Sequence, residues 1–387
     1  MPGIPDSSLD LAELAASVRL VDHHVHGALA DDPGDVDDLG RHLAETDRPA
    51  PPGVSWWDSQ LGFALRRWCA PVLDLPAYAG PVAYTRRRLE LGAAEVNRRF
   101  LSAAGVDRFL VDTGYRGGEL LGPAGMAAAS GARTAEVVRL ESVAEEVGAS
   151  GVSAAQFADR FVEALWARSA DAVGVKSVLA YRYGLDIDPT PPDPAEVRAA
   201  AGAWLSAAEA SGTYRVSDPV LLRRLLWAAV DRGLPIQVHT GFGDPDLDLH
   251  RSDPALLTGF IRAVEPRGVD VLLLHCYPYH RHAGYLARVF PHVYLDVGLG
   301  VTYLGARADS LVAESLELAP FGKLLYSSDA WGPAELHYLG ALLWRRAIAA
   351  VLGRWVDDDR WSSADARRVI DAVAAGNARR VYHLEES

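Results

Sequence analysis

Lysine is almost missing from this chain. Of 38 basic residues only Lys176 and Lys323 are lysine; the other 36 are arginine. A generic surface cation is arginine here, so a lysine asks for a chemical reason: its amine can be neutral, carbamylated or a Schiff base, and a guanidinium cannot. Lys323 opens an apolar run, where a solvated strand start accounts for it, whereas Lys176 ends one. Cysteine is as scarce, and Cys69 and Cys276 are too few for a disulfide framework, which points to a reducing compartment. Positive charge is in deficit: the formal net charge of −13 excludes nucleic acid and anionic membranes as natural partners. No window reaches the ~18 consecutive apolar residues of a membrane span. The acidic start (Asp6, Asp10, Glu13) is not that of a signal peptide, so a cytoplasmic protein is expected. No glycine-rich phosphate loop follows the first apolar run, which argues against an open doubly wound sheet.

What is present is a repeating pattern. Strand-like runs occur at 20–26, 108–113, 135–141, 173–179, 235–240, 271–276, 293–298 and 323–328, mostly continuous in Val, Leu and Ile, as strands buried on both faces should be. Helical patterns lie between them. In 154–168, Phe157, Phe161 and Leu165 recur every four residues; 217–232 opens on Ser217-Asp218-Pro219 and closes before Gly233. Strand and helix alternating eight times predict an α/β fold, a (β/α)8 TIM barrel in one domain over 1–387. A long insertion at 28–84 follows the first strand and reads as a lid, and a helical tail occupies 333–387. Trp56, Trp57 and Phe63 would either cover a substrate or form the insertion's own small core. Trp344, Trp355 and Trp361 in the tail would serve a homo-oligomer interface or pack on the barrel.

The chemistry gathers at the carboxyl ends of the runs. Successive strand side chains alternate, so Asp22, His24 and His26 share one face while His23 looks the other way, toward packing or a supporting contact. His239, His275 and Asp329 end three later runs, and Lys176 a fourth. Three or four imidazoles and a carboxylate at one barrel face describe a divalent-metal centre that activates water. In a mononuclear version His24, His26, His239 and Asp329 hold the ion, and His275 stays free to polarise the substrate. In a binuclear version a carbamylated Lys176 bridges two ions, with His239 and His275 on the second; the lysine scarcity favours this one. Asp329 is the proton acceptor in either. Zinc suits the donor set best, with Mn and Fe as alternatives.

These residues resemble the amidohydrolase superfamily, in its amidohydrolase-2 group. The likeness tightens over Val175-Lys176-Ser177 to Ala180-Tyr181-Arg182, over His239-Thr240-Gly241-Phe242-Gly243-Asp244-Pro245-Asp246-Leu247-Asp248, and over Tyr277-Pro278 with Ala283-Gly284-Tyr285-Leu286-Ala287. It continues through Val293-Tyr294-Leu295-Asp296-Val297-Gly298-Leu299. Together they are similar to the amidohydrolase half of nodulin/FluG-type proteins, in which that half is fused to a glutamine-synthetase-like domain; this chain reads as the stand-alone version. Cys276 stands where the family commonly has serine, and packing is its expected role. The resemblance implies metal-dependent hydrolysis of a small amide, a γ-glutamyl amide or isopeptide. A substrate with a free amino-acid headgroup would need a cation for its carboxylate. Arg182 is the candidate clamp, assisted by Tyr181, with Glu141 to meet an ammonium and Asp112 a weaker version of the same. Two other readings compete: a metal-dependent decarboxylase of the same group acting on an aromatic acid, and a non-catalytic relative.

Overall fold

The apolar runs become strands because no helix-length periodicity competes with them. The computed structural model describes residues 8–46 and 48–385. Its strands are β1 (Leu20–Val25), β2 (Val106–Asp112), β3 (Arg133–Arg139), β4 (Gly174–Ser177), β5 (Ile236–Thr240), β6 (Val271–His275) and β7 (Val293–Leu295). All but β2 and β3 are buried at every position, as in a parallel sheet covered on both faces. The chain divides into two compact units. One holds the described residues up to Val111, Tyr115–Ala135 and Asp296 onward; the other holds Asp112–Gly114 and Glu136–Leu295.

In the first unit β1 and β2 pair in parallel, with Asp22 opposite Phe109 and Val25 opposite Val111; a register shift falls between these pairs, at His23 and His24. The start of β3 belongs to this unit and follows β2 in sheet order. The expected eighth strand is the one departure. Seven strands form among the described residues, and run 323–328 lies along β1 without a regular ladder. His23 N donates to Tyr326 O (3.2 Å), Asp329 N to His24 O (3.2 Å) and His26 N to Ala330 O (2.8 Å). The run's other polar groups go to the tail. Tyr326 N donates to Val373 O (3.0 Å), and Asn377 Nδ2 donates to Leu324 O (2.7 Å) and Phe321 O (2.8 Å). Competition from the π-helical turn Ala372–Gly376 thus replaces ladder bonds that sequence pattern alone predicts.

The tail is helical, led by the 24-residue Ala334–Asp357. Its buried Arg345 gives Nη1 to Ala104 O (2.7 Å) and Nη2 to Gly105 O (2.9 Å) and Val18 O (3.0 Å), satisfying carbonyls where two helices end before β1 and β2. The tail tryptophans pack on their own chain: Trp344 lies 5.3 Å from Tyr326, and Trp361 lies 5.0 Å from Phe321 and 5.1 Å from Trp355. Segment 28–84 is not purely irregular. It carries helices Val36–Arg41 and Gln60–Trp68 and a 3-10 turn at Ala70–Leu73. Trp57 is buried there, donating Nε1 to Val36 O (3.1 Å) against Tyr84 (5.8 Å).

In the second unit the rest of β3 leads through β4, β5 and β6 to β7, all parallel and in chain order. Phe157, Phe161 and Leu165 are the buried face of helix Phe157–Arg168, as their spacing predicts. Helix Pro219–Arg232 is capped by Asp218, whose carboxylate accepts from Val220 N and Leu221 N, and ends at left-handed Gly233. Among the described residues no helix is long and apolar enough to cross a membrane.

Candidate metal centre

Strand alternation brings the first candidate ligands together. In the first unit His24 Nε2 lies 3.1 Å from Asp329 Oδ1, and His26 Nε2 lies 3.8 Å from the same oxygen. The two imidazoles stand nearly perpendicular, with centroids 5.2 Å apart, and all three residues are buried. Ligands each ~2.1 Å from a tetrahedral ion are about 3.4 Å from one another, a separation that the two contacts to Asp329 Oδ1 bracket. Asp329 sits at φ +48°, a left-handed conformation that costs a non-glycine residue on the order of 1 kcal/mol and is typically retained where function needs it.

Neighbouring side chains hold this trio. Asp22 accepts from Ser328 N (3.0 Å) and Ser328 Oγ (2.6 Å), and Ser328 Oγ accepts from Ala330 N (3.1 Å), so the backbone on both sides of Asp329 is tied to β1. Burial pushes the Asp22 carboxyl up to about 7, against the lowering effect of the Ser328 hydrogen bonds. His23, facing away as expected, lies between Tyr382 OH (3.0 Å from Nδ1) and Asp296 Oδ2 (3.1 Å from Nε2). Asp296 is fixed in turn by Gly298 N (2.8 Å) and Ser327 Oγ (3.0 Å). His337 donates Nε2–H to His26 O (3.0 Å); burial lowers its pKa to about 4, so it stays neutral. Tyr115 lies 5.3 Å from the His26 ring, and Trp331 lies 5.5 Å from Tyr115.

The second unit builds its own cluster at the ends of β5 and β6. Thr240 is in register with His275, and the His239 and His275 rings are 4.8 Å apart. His275 (φ +66°) and Cys276 (φ +61°) are consecutive left-handed residues; the Cys276 thiol donates to Leu273 O (3.2 Å). The Tyr181 ring packs tilted against His239, with centroids 4.5 Å apart. Its hydroxyl lies where a Cβ on Gly243 would sit, so only glycine fits there. Lys176 is 2 % exposed, with Nζ 3.6 Å from Asp112 Oδ2. The same oxygen accepts from Arg139 Nη2 (2.6 Å) and Nε (3.2 Å). Glu141 lies in the first turn of helix Leu140–Ala149 rather than at a strand end; its Oε1 accepts from Ser177 Oγ (2.6 Å) and Val178 N (3.0 Å), and burial raises its pKa. Arg182 pairs through Nη2 with Glu145 Oε1 (3.1 Å); burial lowers its pKa, opposed by that carboxylate. Sequence reasoning missed Arg139, the Asp22–Ser328 brace, the contacts of Asp296 and Tyr382 to His23, and His337. Only Arg139 carried a signal, a basic residue in the strand-like run 135–141.

Histidines at the carboxyl ends of parallel strands, with an aspartate after a run laid along β1, are the donor pattern of metal-dependent α/β enzymes. Within that class the chain belongs to the amidohydrolase family, whose description "Amidohydrolase" matches residues 21–384. Protein fluG of Emericella nidulans is 37 % identical over 225 residues, 55 % of this chain and 26 % of that protein, so the chain spans about a quarter of that relative's length. A Lactobacillus casei protein assigned as a metal-dependent hydrolase is 28 % identical, with a TM-score of 0.82 over 96 % of this chain and 97 % of its own. A uronate isomerase of Bacillus halodurans shares the fold at 16 % identity, TM-score 0.65, over 98 % and 96 % of the two chains. The protein is a metal-dependent enzyme of the amidohydrolase superfamily, and the expected likeness to fluG holds.

Proposed function

We propose that the protein hydrolyses the C–N bond of a small amide, a γ-glutamyl amide or isopeptide, in the cytoplasm. The observation that carries this reading is the buried His24–His26–Asp329 trio in a chain of the amidohydrolase family. The substrate class rests on the likeness to fluG and on the motifs shared with synthetase-fused relatives. On the strand-end pattern and family membership we assign His24, His26, His239 and Asp329 as ligands of a single ion and leave His275 free, with Zn as the ion and Mn or Fe as substitutes. Bound there, such an ion lowers the pKa of a water and polarises a carbonyl.

The chain's own groups do the rest. Asp329 takes the water's proton on its carboxylate and passes it to the leaving amine. His275 orients the scissile carbonyl, and Tyr181, packed on His239, lines the approach. Arg182 meets the substrate's carboxylate while still shared with Glu145, and Glu141 fixes the Ser177–Val178 backbone beneath it. The Lys176–Asp112 pair favours the mononuclear version, because the amine already has a carboxylate partner 3.6 Å away. The test is a substrate panel with the metal-loaded protein. Release of amine and glutamate from γ-glutamyl amides supports the assignment; release of carbon dioxide from aromatic acids with no amide turnover would replace it with the decarboxylase reading.

A further inference from the structure

Acidic residues outnumber basic ones by 51 to 38 in this chain, so an arginine seldom lacks a carboxylate for want of supply. Arg67 and Arg346 nevertheless make no ion pair among the described residues. Both lie on Trp68 instead: the Arg67 guanidinium carbon is 4.2 Å from the indole centroid and that of Arg346 is 4.5 Å, which puts the two charges within about 9 Å of each other. Arg67 also faces the Tyr78 ring at 5.5 Å.

These groups line a cleft of about 500 Å³ in the first unit, with Phe63 and Asp309, a volume usual for small-molecule sites. Phe63 and Tyr78 expose 52 % and 61 % of their surface to it and to solvent. Tyr78 is held at φ +67°. Its N–H donates to Arg66 O (2.8 Å), while Arg66 binds Tyr78 O (3.1 Å) and Ala79 O (3.0 Å), clamping the turn. A left-handed backbone spent on exposing an aromatic ring gains the fold nothing by burial, and such strain gathers at binding sites. Asp309 accepts from Ser310 N (2.9 Å); its carboxylate disfavours polyanions and offers an acceptor to a ligand N–H or O–H. Arg346 stands nine residues beyond His337 on the same helix, about 13 Å along its axis, so the cleft is separate from the His24–His26–Asp329 trio.

We propose that this cleft is a second ligand site for a small planar aromatic anion. The ring stacks between Phe63 and Tyr78, and the acidic group sits on the Arg67–Arg346 guanidiniums, which suit carboxylate or phosphate oxygens. The anion is an aromatic carboxylate or a nucleoside monophosphate, and titration calorimetry at low salt with benzoate, AMP and inorganic phosphate on the full chain separates them. The expected result is saturable binding of benzoate or AMP, whichever source the site serves. It weakens at least ~10-fold in both Arg67→Gln and Arg346→Gln and is unchanged in His24→Ala. Arg346 is exposed, so its variant tests the site even where Arg67→Gln destabilises the protein. The proposal is overturned by no saturable binding of either aromatic anion at ~10 mM, by binding that Arg346→Gln leaves intact, by loss in His24→Ala, or by inorganic phosphate binding as tightly as both.

Discussion

In the proposed reaction Asp329 is the carboxylate that takes the water's proton. Its Oδ1 faces two imidazole nitrogens, its backbone is left-handed, and the residue before it is gripped by Asp22 through two hydrogen bonds. Asp329→Asn preserves the shape and removes the charge and the proton acceptor. We expect kcat/KM for the amide substrate to fall by ~10²–10⁴ with an unchanged circular dichroism spectrum, and wild-type activity would remove Asp329 from the mechanism. Lys176 is the second residue whose role separates two readings. Lys176→Met leaves Arg139 to neutralise Asp112; the pairing described above predicts the same metal content as wild type, whereas a loss of half the metal would restore the bridging carbamate. The types of these residues were legible in the sequence, because a histidine or aspartate ending an apolar run stands out. Their partners were not: Asp22 meets Ser328 across 306 positions and His23 meets Tyr382 across 359, and no local pattern encodes such pairs.

At the scale of the element, loops after strands decide whether ligands align. Gly241, two residues past His239, has φ +79°, and a Cβ there would lie 2.3 Å from Tyr277 O, just beyond β6. This close approach sets the ends of β5 and β6 side by side. Gly241→Ala should destabilise by on the order of 3 kcal/mol and lower activity in the surviving folded protein, read by denaturant midpoint and assay; a neutral effect would mean the loops are compliant. Asp218→Ala removes the cap of helix Pro219–Arg232 and should cost about 1 kcal/mol with kinetics unaltered. Helices Phe157–Arg168 and Pro219–Arg232, the latter with its Asp218 cap, and seven of the strands follow from spacing and capping residues. The eighth run does not, since its apolar pattern matches a strand but Val373 and Asn377 take backbone partners that a ladder would use. The helices within 28–84 do not stand out because they are only 6 and 9 residues long and are set among proline- and aspartate-containing stretches.

For the whole molecule the account reduces to one claim: an acidic chain of the amidohydrolase family holds a divalent ion on His24, His26 and Asp329. Family membership makes the claim general, and the 3.1 Å and 3.8 Å contacts in the first unit make it particular. The scarcity of lysine and cysteine and the net charge of −13 narrowed the functional classes without naming a substrate. Metal content per chain of the purified protein, by elemental analysis alongside His24→Ala, tests the claim most directly. We predict one divalent ion per chain in the wild type and a loss of at least ~10-fold in affinity for it in the variant. A well-folded wild-type protein that takes up no stoichiometric metal even when reconstituted with Zn, Mn or Fe would contradict it.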